Sequence, residues 1–142
     1  MSLSDVFENK VLLLYFNATA WANVADNAAS SPLTNLEVSA HTADPGDAGS
    51  QTTSETAYTS YARVAVARTS GGWTVTNNSV SPAAQISFPA CTGSTSTLTH
   101  FGIGTAHTST GVLHMSGTVT PNISVASGVT PILTTSSTVT LD

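Results

Sequence analysis

From residue 36 onward, apolar side chains recur at every second position and are cut into short runs by glycine and proline. A period of two sends alternate side chains to opposite faces of an extended strand, so this pattern commits the chain to β-structure. Leu36, Val38 and Ala40 alternate with Glu37, Ser39 and His41. The strongest alternation runs from Tyr58 to Arg68, with Ala62, Val64 and Val66 on one face and Tyr61, Arg63 and Ala65 on the other. Trp73 and Val75 open a strand that ends near Asn77-Asn78. Ile86 with Phe88, Leu98 to Thr105, Val112 to Thr120, Ile123 with Val125, and Thr138 to Leu141 continue the rhythm. Pro82, Pro89, Pro121 and Pro131 fall at strand boundaries, where a missing N–H costs least.

The connections carry turn chemistry. In Asp44-Pro45-Gly46-Asp47-Ala48-Gly49 the proline pre-sets a turn and the glycines accept positive φ. Gln51 to Thr56 is polar and is expected to be exposed. Short strands with this punctuation predict an all-β fold, a single-domain antiparallel β-sandwich of jelly-roll-like kind, rather than βαβ units. The 142 residues suit one domain, which at this size buries roughly two thirds of its unfolded surface.

The N-terminal segment has a different period. Leu3, Val6, Phe7, Val11 and Leu14 are spaced by three and four, which predicts a helix from about Leu3 to Tyr15. Ser2 is the expected cap, with Asp5 three residues on. The apolar stripe either covers one end of the β-domain or meets a partner. Asn17 to Pro32, containing Trp21, has no period and reads as a loop or arm longer than the usual connection. The expected organisation is a helix and arm over residues 1–35 and a sandwich over 36–142, one domain overall. The interface residues expected from this segment are Leu3, Val6, Phe7, Val11, Leu14 and Trp21.

Charge excludes several functions. Lysine and arginine total 3 and the formal charge is −5, so no phosphate backbone is recognised and no nucleic acid partner is expected. A basic membrane-binding face is excluded on the same count. The longest apolar run, Val11 to Phe16, is far below the roughly 20 residues of a spanning helix, and no membrane partner is expected. No signal peptide is visible, because Asp5 and Glu8 precede that run. Charged residues are only 8% of the chain, against about 25% in an average domain. Twenty serines and 24 threonines supply the polarity instead. With 40% apolar residues at strand spacing, this is the composition of an ordered domain.

Motifs for chemistry are missing. His41, His100, His107 and His114 lack close ligand spacing, and the single Cys91 lies beside none of them, so neither a metal nor another cofactor is expected. Asp44 and Asp47 flank a turn and are too few for calcium. No G-x-S-x-G elbow or S-x-x-K motif occurs, and forty-four hydroxyl residues would supply triad members by abundance alone. A glycosidase would need two opposed carboxylates and an aromatic cleft. Three sequons, at Asn17, Asn77 and Asn122, match chance in a chain so rich in serine and threonine. No catalytic residue is expected, and the chain reads as a non-enzyme.

His41 to Gly49, followed by Tyr61-Ala62-Arg63-Val64-Ala65-Val66, resembles a family of short tailed-phage virion proteins described as tail fibre, minor tail or head decoration proteins. Family members share a "TADPG" turn, a "YARVAV" strand, an "ITFPAATG…THFGI" block and a closing "TITLD". The third is similar to Ile86–Gly93 and Thr99–Ile103, the last to Thr138–Asp142. Trp21 to Pro32 departs from the pattern. The resemblance implies a virion location, with assembly in the host cytoplasm, and a partner that is the major capsid protein or a tail protein. The leading expectation is a capsid decoration (cement) protein bridging capsomers. Its rival is a tail-associated or tail-fibre protein, and a third reading is a carbohydrate-binding attachment module using Trp21, Trp73 and the tyrosines. A homo-oligomer, a trimer above all, is expected, since low charge leaves little repulsion between copies. Asp44, Pro45, Gly46 and Arg63 are expected to be structural. Arg63 is either solvated on its strand or paired with a carboxylate such as Asp44.

Overall fold

The computed structural model describes residues 3–25 and 31–141. Among them are one helix and nine strands, so the fold is all-β with a short N-terminal helix, as the alternation predicts. The described residues gather into two compact units. One draws on Met1–Asn35, Val66–Gln85 and Leu133–Asp142, the other on Leu36–Ala65 and Ile86–Ile132.

In the first unit, helix α1 (Asp5–Asn17) packs on a three-stranded sheet ordered β3 (Trp73–Thr76), β4 (Ser79–Pro82), β9 (Val139–Thr140). The cap is Ser4, whose Oγ accepts the Phe7 N–H at 3.4 Å; the expected cap, Ser2, lies outside the described residues. At the other end Ala18 turns left-handed at φ 52°, and Arg68 donates to the last carbonyls, those of Leu14 and Tyr15, at 2.9 and 2.7 Å. A cation there suits the negative end of the helix dipole. The helix buries Glu8, Leu12 and Phe16, at intervals of four, and Phe16 meets the Trp73 ring edge-on at 4.9 Å. The β3–β4 hairpin turns at Asn77, φ 53°, a conformation asparagine tolerates. Asn78 then ties β9 in place through both its backbone and its side chain, each 2.9 Å from Leu141.

The body of the second unit is a sheet ordered β2 (Val64–Ala67), β1 (Asn35–His41), β6 (Ser96–Gly104), β7 (Leu113–Val125). A small ribbon pairs β5 (Ile86–Ser87) with β8 (Ile132–Leu133). The β1–β6 register sets Val38 against Ile103 and Ala40 against Phe101 on the apolar face. Ser39 against Gly102, and His41 against His100, occupy the other face. Phe101 faces Gly117 on β7, where a Cβ would lie 2.7 Å from the phenyl ring, so the missing side chain makes room for the aromatic one.

Three sequence expectations are corrected. Tyr58 to Arg63 is not a strand; only Val64–Ala67 is. Ser60 sits at φ 78°, and the Tyr61 hydroxyl accepts the Ala40 N–H at 3.0 Å, taking a donor that a neighbouring strand would use. Gln51 to Thr56 is not wholly exposed, since Gln51 and Thr56 are buried. Finally, β7 runs on through Pro121 with register shifts against β6, where the sequence places two strands. Proline is tolerated there because β7 is the last strand of its sheet. Of the expected arm, Asn17 belongs to α1 and Trp21 to Ala25 forms a tight turn; residues 26–30 lie outside the described residues.

Candidate functional site

The polar face of the second unit's sheet is its most elaborate feature, and it grows from the short alternation of β1. Glu37, Ser39 and His41 point to one side of the strand, and all three are buried. A buried polar group must find a partner or forfeit its hydration. His41 Nδ1 lies 2.8 Å from the Thr53 carbonyl, which only accepts, so the proton sits on Nδ1 and Nε2 accepts from the Ser39 hydroxyl at 2.8 Å. Beneath them Gly102 leaves space: a Cβ there would fall within 2.7 Å of Ser39 Oγ, His41 Nε2 and Leu113 Cδ1.

Gln51 fills the neighbouring position and is wholly enclosed. Its amide nitrogen donates to the Glu37 carbonyl at 3.3 Å, and its Oε1 accepts the N–H groups of Thr105 and Ala106 at 3.0 and 2.9 Å. Gly104 and Gly111 form its cradle, since a Cβ on either would overlap the Gln51 side chain.

Arg63 completes the layer. Its Nε and Nη2 donate to the two carboxylate oxygens of Glu55 at 2.7 and 2.8 Å, a bidentate pair with the arginine side chain 4% exposed. The remaining donors reach the Ala106 and Ser109 carbonyls at 2.7 and 2.9 Å. The Tyr61 hydroxyl donates to Glu55 at 2.9 Å. The hydrogen bond to Glu55 raises the Arg63 pKa further above its ordinary value, and burial pushes that of the Tyr61 phenol well up. Outside this knot, the His107 ring nitrogen Nδ1 stands 2.9 Å from Glu37. Glu37, Gln51 and Arg63 therefore moor the β6–β7 hairpin loop from below, at His107, at the Thr105–Ala106 amides and at the Ala106 and Ser109 carbonyls.

The expected site residues fall as follows. The carboxylate beside Arg63 is Glu55, not Asp44. Asp44 is exposed and its Oδ1 accepts the Gly46 N–H at 2.9 Å, closing the turn in which Gly46 sits at φ 69° and Pro45 is buried. Leu3, Val6 and Phe7 are exposed, Val11 and Leu14 are partly buried, and Trp21 meets Phe7 edge-on at 5.2 Å. The aromatic residues a sugar would stack on are not gathered at the surface, since Trp73 and Tyr58 are buried. Among the described residues no three histidine, cysteine, aspartate or glutamate side chains group to hold a metal ion. No helix among them is long and apolar enough to cross a membrane.

Burial holds the His41 imidazole below its ordinary pKa of 6.5. The folded state then binds fewer protons than the unfolded one as pH falls below 6.5, so stability is complete above that value and declines beneath it. Denaturant unfolding between about pH 7 and 5 is expected to show this loss, and His41→Gln, less stable at neutral pH, to lack that slope. An unchanged slope in His41→Gln would locate the proton uptake elsewhere.

Ser39 and His41 form a hydroxyl–imidazole pair, yet both are enclosed and offer no surface to a substrate. The polar chemistry of this layer goes into holding backbone in place. The chain belongs to the family described as Podophage GP4 fiber I protein gp80, whose model matches residues 2–140. It is a structural protein of a short-tailed phage virion. No curated protein matches it.

Proposed function

We propose that the chain is a non-enzymatic building block of a virion fibre in a short-tailed phage. The family description carries this reading, and it is favoured over a capsid decoration protein for that reason. The structure supports it through a polar layer that joins β1, the Gln51 and Arg63 segments and the β6–β7 loop into one scaffold. A homo-oligomer, of three-fold symmetry, belongs to the same reading. From Thr69 to Leu141 the sequence holds no aspartate, glutamate, lysine or arginine, so copies meeting through that stretch bring no charged side chains together.

Quantitative mass spectrometry of purified virions tests the assignment. Tens of copies or fewer per particle are expected of a fibre; hundreds would return the chain to the head surface as a decoration protein. Sedimentation of the purified chain is expected to give a trimer, and a monomer at micromolar concentration would remove the three-fold part.

A further inference from the structure

We propose that the outer edge of β7 is a contact between copies of this chain, paired strand to strand and antiparallel about Gly117. β7 is the last strand of its sheet, so one side of it has no neighbouring strand among the described residues. The register fixes which backbone groups face that side. Ala40 donates its N–H to the Tyr61 hydroxyl at 3.0 Å and accepts the Thr56 N–H at 2.9 Å, so both its groups turn away from β6. Phe101, opposite Ala40, then turns its own groups toward Gly117 on β7, because hydrogen-bonded and open pairs alternate across an antiparallel sheet. Ser116 and Thr118, on either side of Gly117, therefore aim their N–H and carbonyl groups outward, and both residues are exposed. A row of donors and acceptors at an open edge is a template for another strand. The opposite edge, β2, is only four residues long and ends in its own turn, where the Ala67 carbonyl accepts the Thr69 N–H at 2.8 Å.

The side chains select a second copy as the strand that fits. Two chains set antiparallel about Gly117 place Ser116 of each opposite Thr118 of the other, and each such pair exchanges both its hydrogen bonds. Gly117 meets its own counterpart, at the close spacing of about 4.5 Å between Cα atoms of an open pair. Met115 meets Val119, and both are partly buried. Hydroxyl thus faces hydroxyl, apolar faces apolar, and β7 brings no charged side chain to the contact. Natural edges are guarded against such pairing by lysine or proline, and Met115 to Thr120 contains neither. The contact is far smaller than the roughly 20–30 residues a side of a standard interface, so it forms only at high concentration. It is two-fold and additional to the three-fold association proposed above, since a trimer carries one such edge on each chain.

Sedimentation of the purified full-length protein over rising concentration tests it. Wild type is expected to grow to about twice its micromolar mass or more at concentrations on the order of 100 μM. Thr118→Pro deletes an outward N–H and spares the ladder with β6, so it should weaken this growth about tenfold or more at unchanged melting temperature. Ser116→Lys alone and Thr118→Glu alone should weaken it too, since each breaks a matched pair and brings like charges together near the two-fold axis. The two combined set lysine opposite glutamate in both pairs and should restore growth at low salt, an effect that salt then removes. A wild-type mass that stays constant over the whole range overturns the contact. Undiminished growth of Thr118→Pro overturns β7 as its site; if that variant melts early, Ser116→Lys, at an exposed side chain, decides the same point. Single variants that weaken growth without restoration in the double one overturn the pairing about Gly117. None of these measurements involves a virion, so the fibre reading, decided by copy number in the particle, stands or fails separately.

Discussion

Arg63→Ala is expected to lower the unfolding free energy by about 3–5 kcal/mol, because it strands the Glu55 carboxylate in a site built for an ion pair. The loss has two further parts. The Ala106 and Ser109 carbonyls lose their donors, and the Tyr61 hydroxyl is left beside an uncompensated charge. An exposed pair would give only about 0–1 kcal/mol, so the size of the effect separates the two readings of Arg63. Arg63→Lys should recover part of the loss by restoring the charge, though not the fork that grips both oxygens and two carbonyls. Denaturant midpoints of the three proteins decide it. A change below about 1 kcal/mol in Arg63→Ala would mean that the pair is solvated.

Gly104→Ala is expected to cost about 3 kcal/mol, although alanine is the smallest side chain that glycine can be exchanged for. The new Cβ would lie 2.4 Å from the Val112 carbonyl oxygen and 2.3 Å from Gln51 Cδ. The first is backbone just before β7 and the second a fully buried side chain, so neither yields cheaply. Pairing the change with Gln51→Ala tests the cause. Removing Gln51 relieves one overlap, and the double variant should be less destabilised than the sum of the two single ones. Simple additivity in thermal melts would show that the glycine is needed for the backbone contact alone.

Much of the architecture was legible in the sequence where a local rule governed it. The alternation Leu36-Glu37-Val38-Ser39-Ala40-His41 predicts β1 and the polarity of its two faces, and both sides turn out to be buried. The Asp44–Gly49 turn follows from its proline and glycines. Tyr58 to Arg63 alternates as well as any strand, yet its side chains are drawn into non-local bonds with Glu55 and Ala40 that no periodicity reports. Glu55 itself is hidden in a polar run, because burial of Gln51 and Thr56 depends on partners more than thirty residues away in sequence. In α1 the apolar run Val11 to Phe16 gives the helix two greasy sides, so spacing alone picks the stripe Leu3, Val6, Phe7, Val11 and Leu14. The sheet instead takes Leu12 and Phe16, leaving the first turns of that stripe in water. The glycines of the segment Thr99–Ile103 and its continuation are visible in the sequence, but their reason, room for Ser39, His41 and Gln51, is a fact of three dimensions.

Glu37, Gln51 and Arg63 form a scaffold that fixes the β6–β7 loop. Amide hydrogen exchange at Ala106 tests this most directly, since its N–H donates to the buried Gln51 Oε1, whereas the Thr105 N–H is shared between Gln51 and the Val112 carbonyl. In the wild-type protein the Ala106 amide should exchange as slowly as the core amides of β6, and in Gln51→Ala it should exchange at a rate typical of an open loop while β6 stays protected. Rapid exchange at Ala106 in the wild type would contradict this, because the loop would then open without disturbing the layer beneath it.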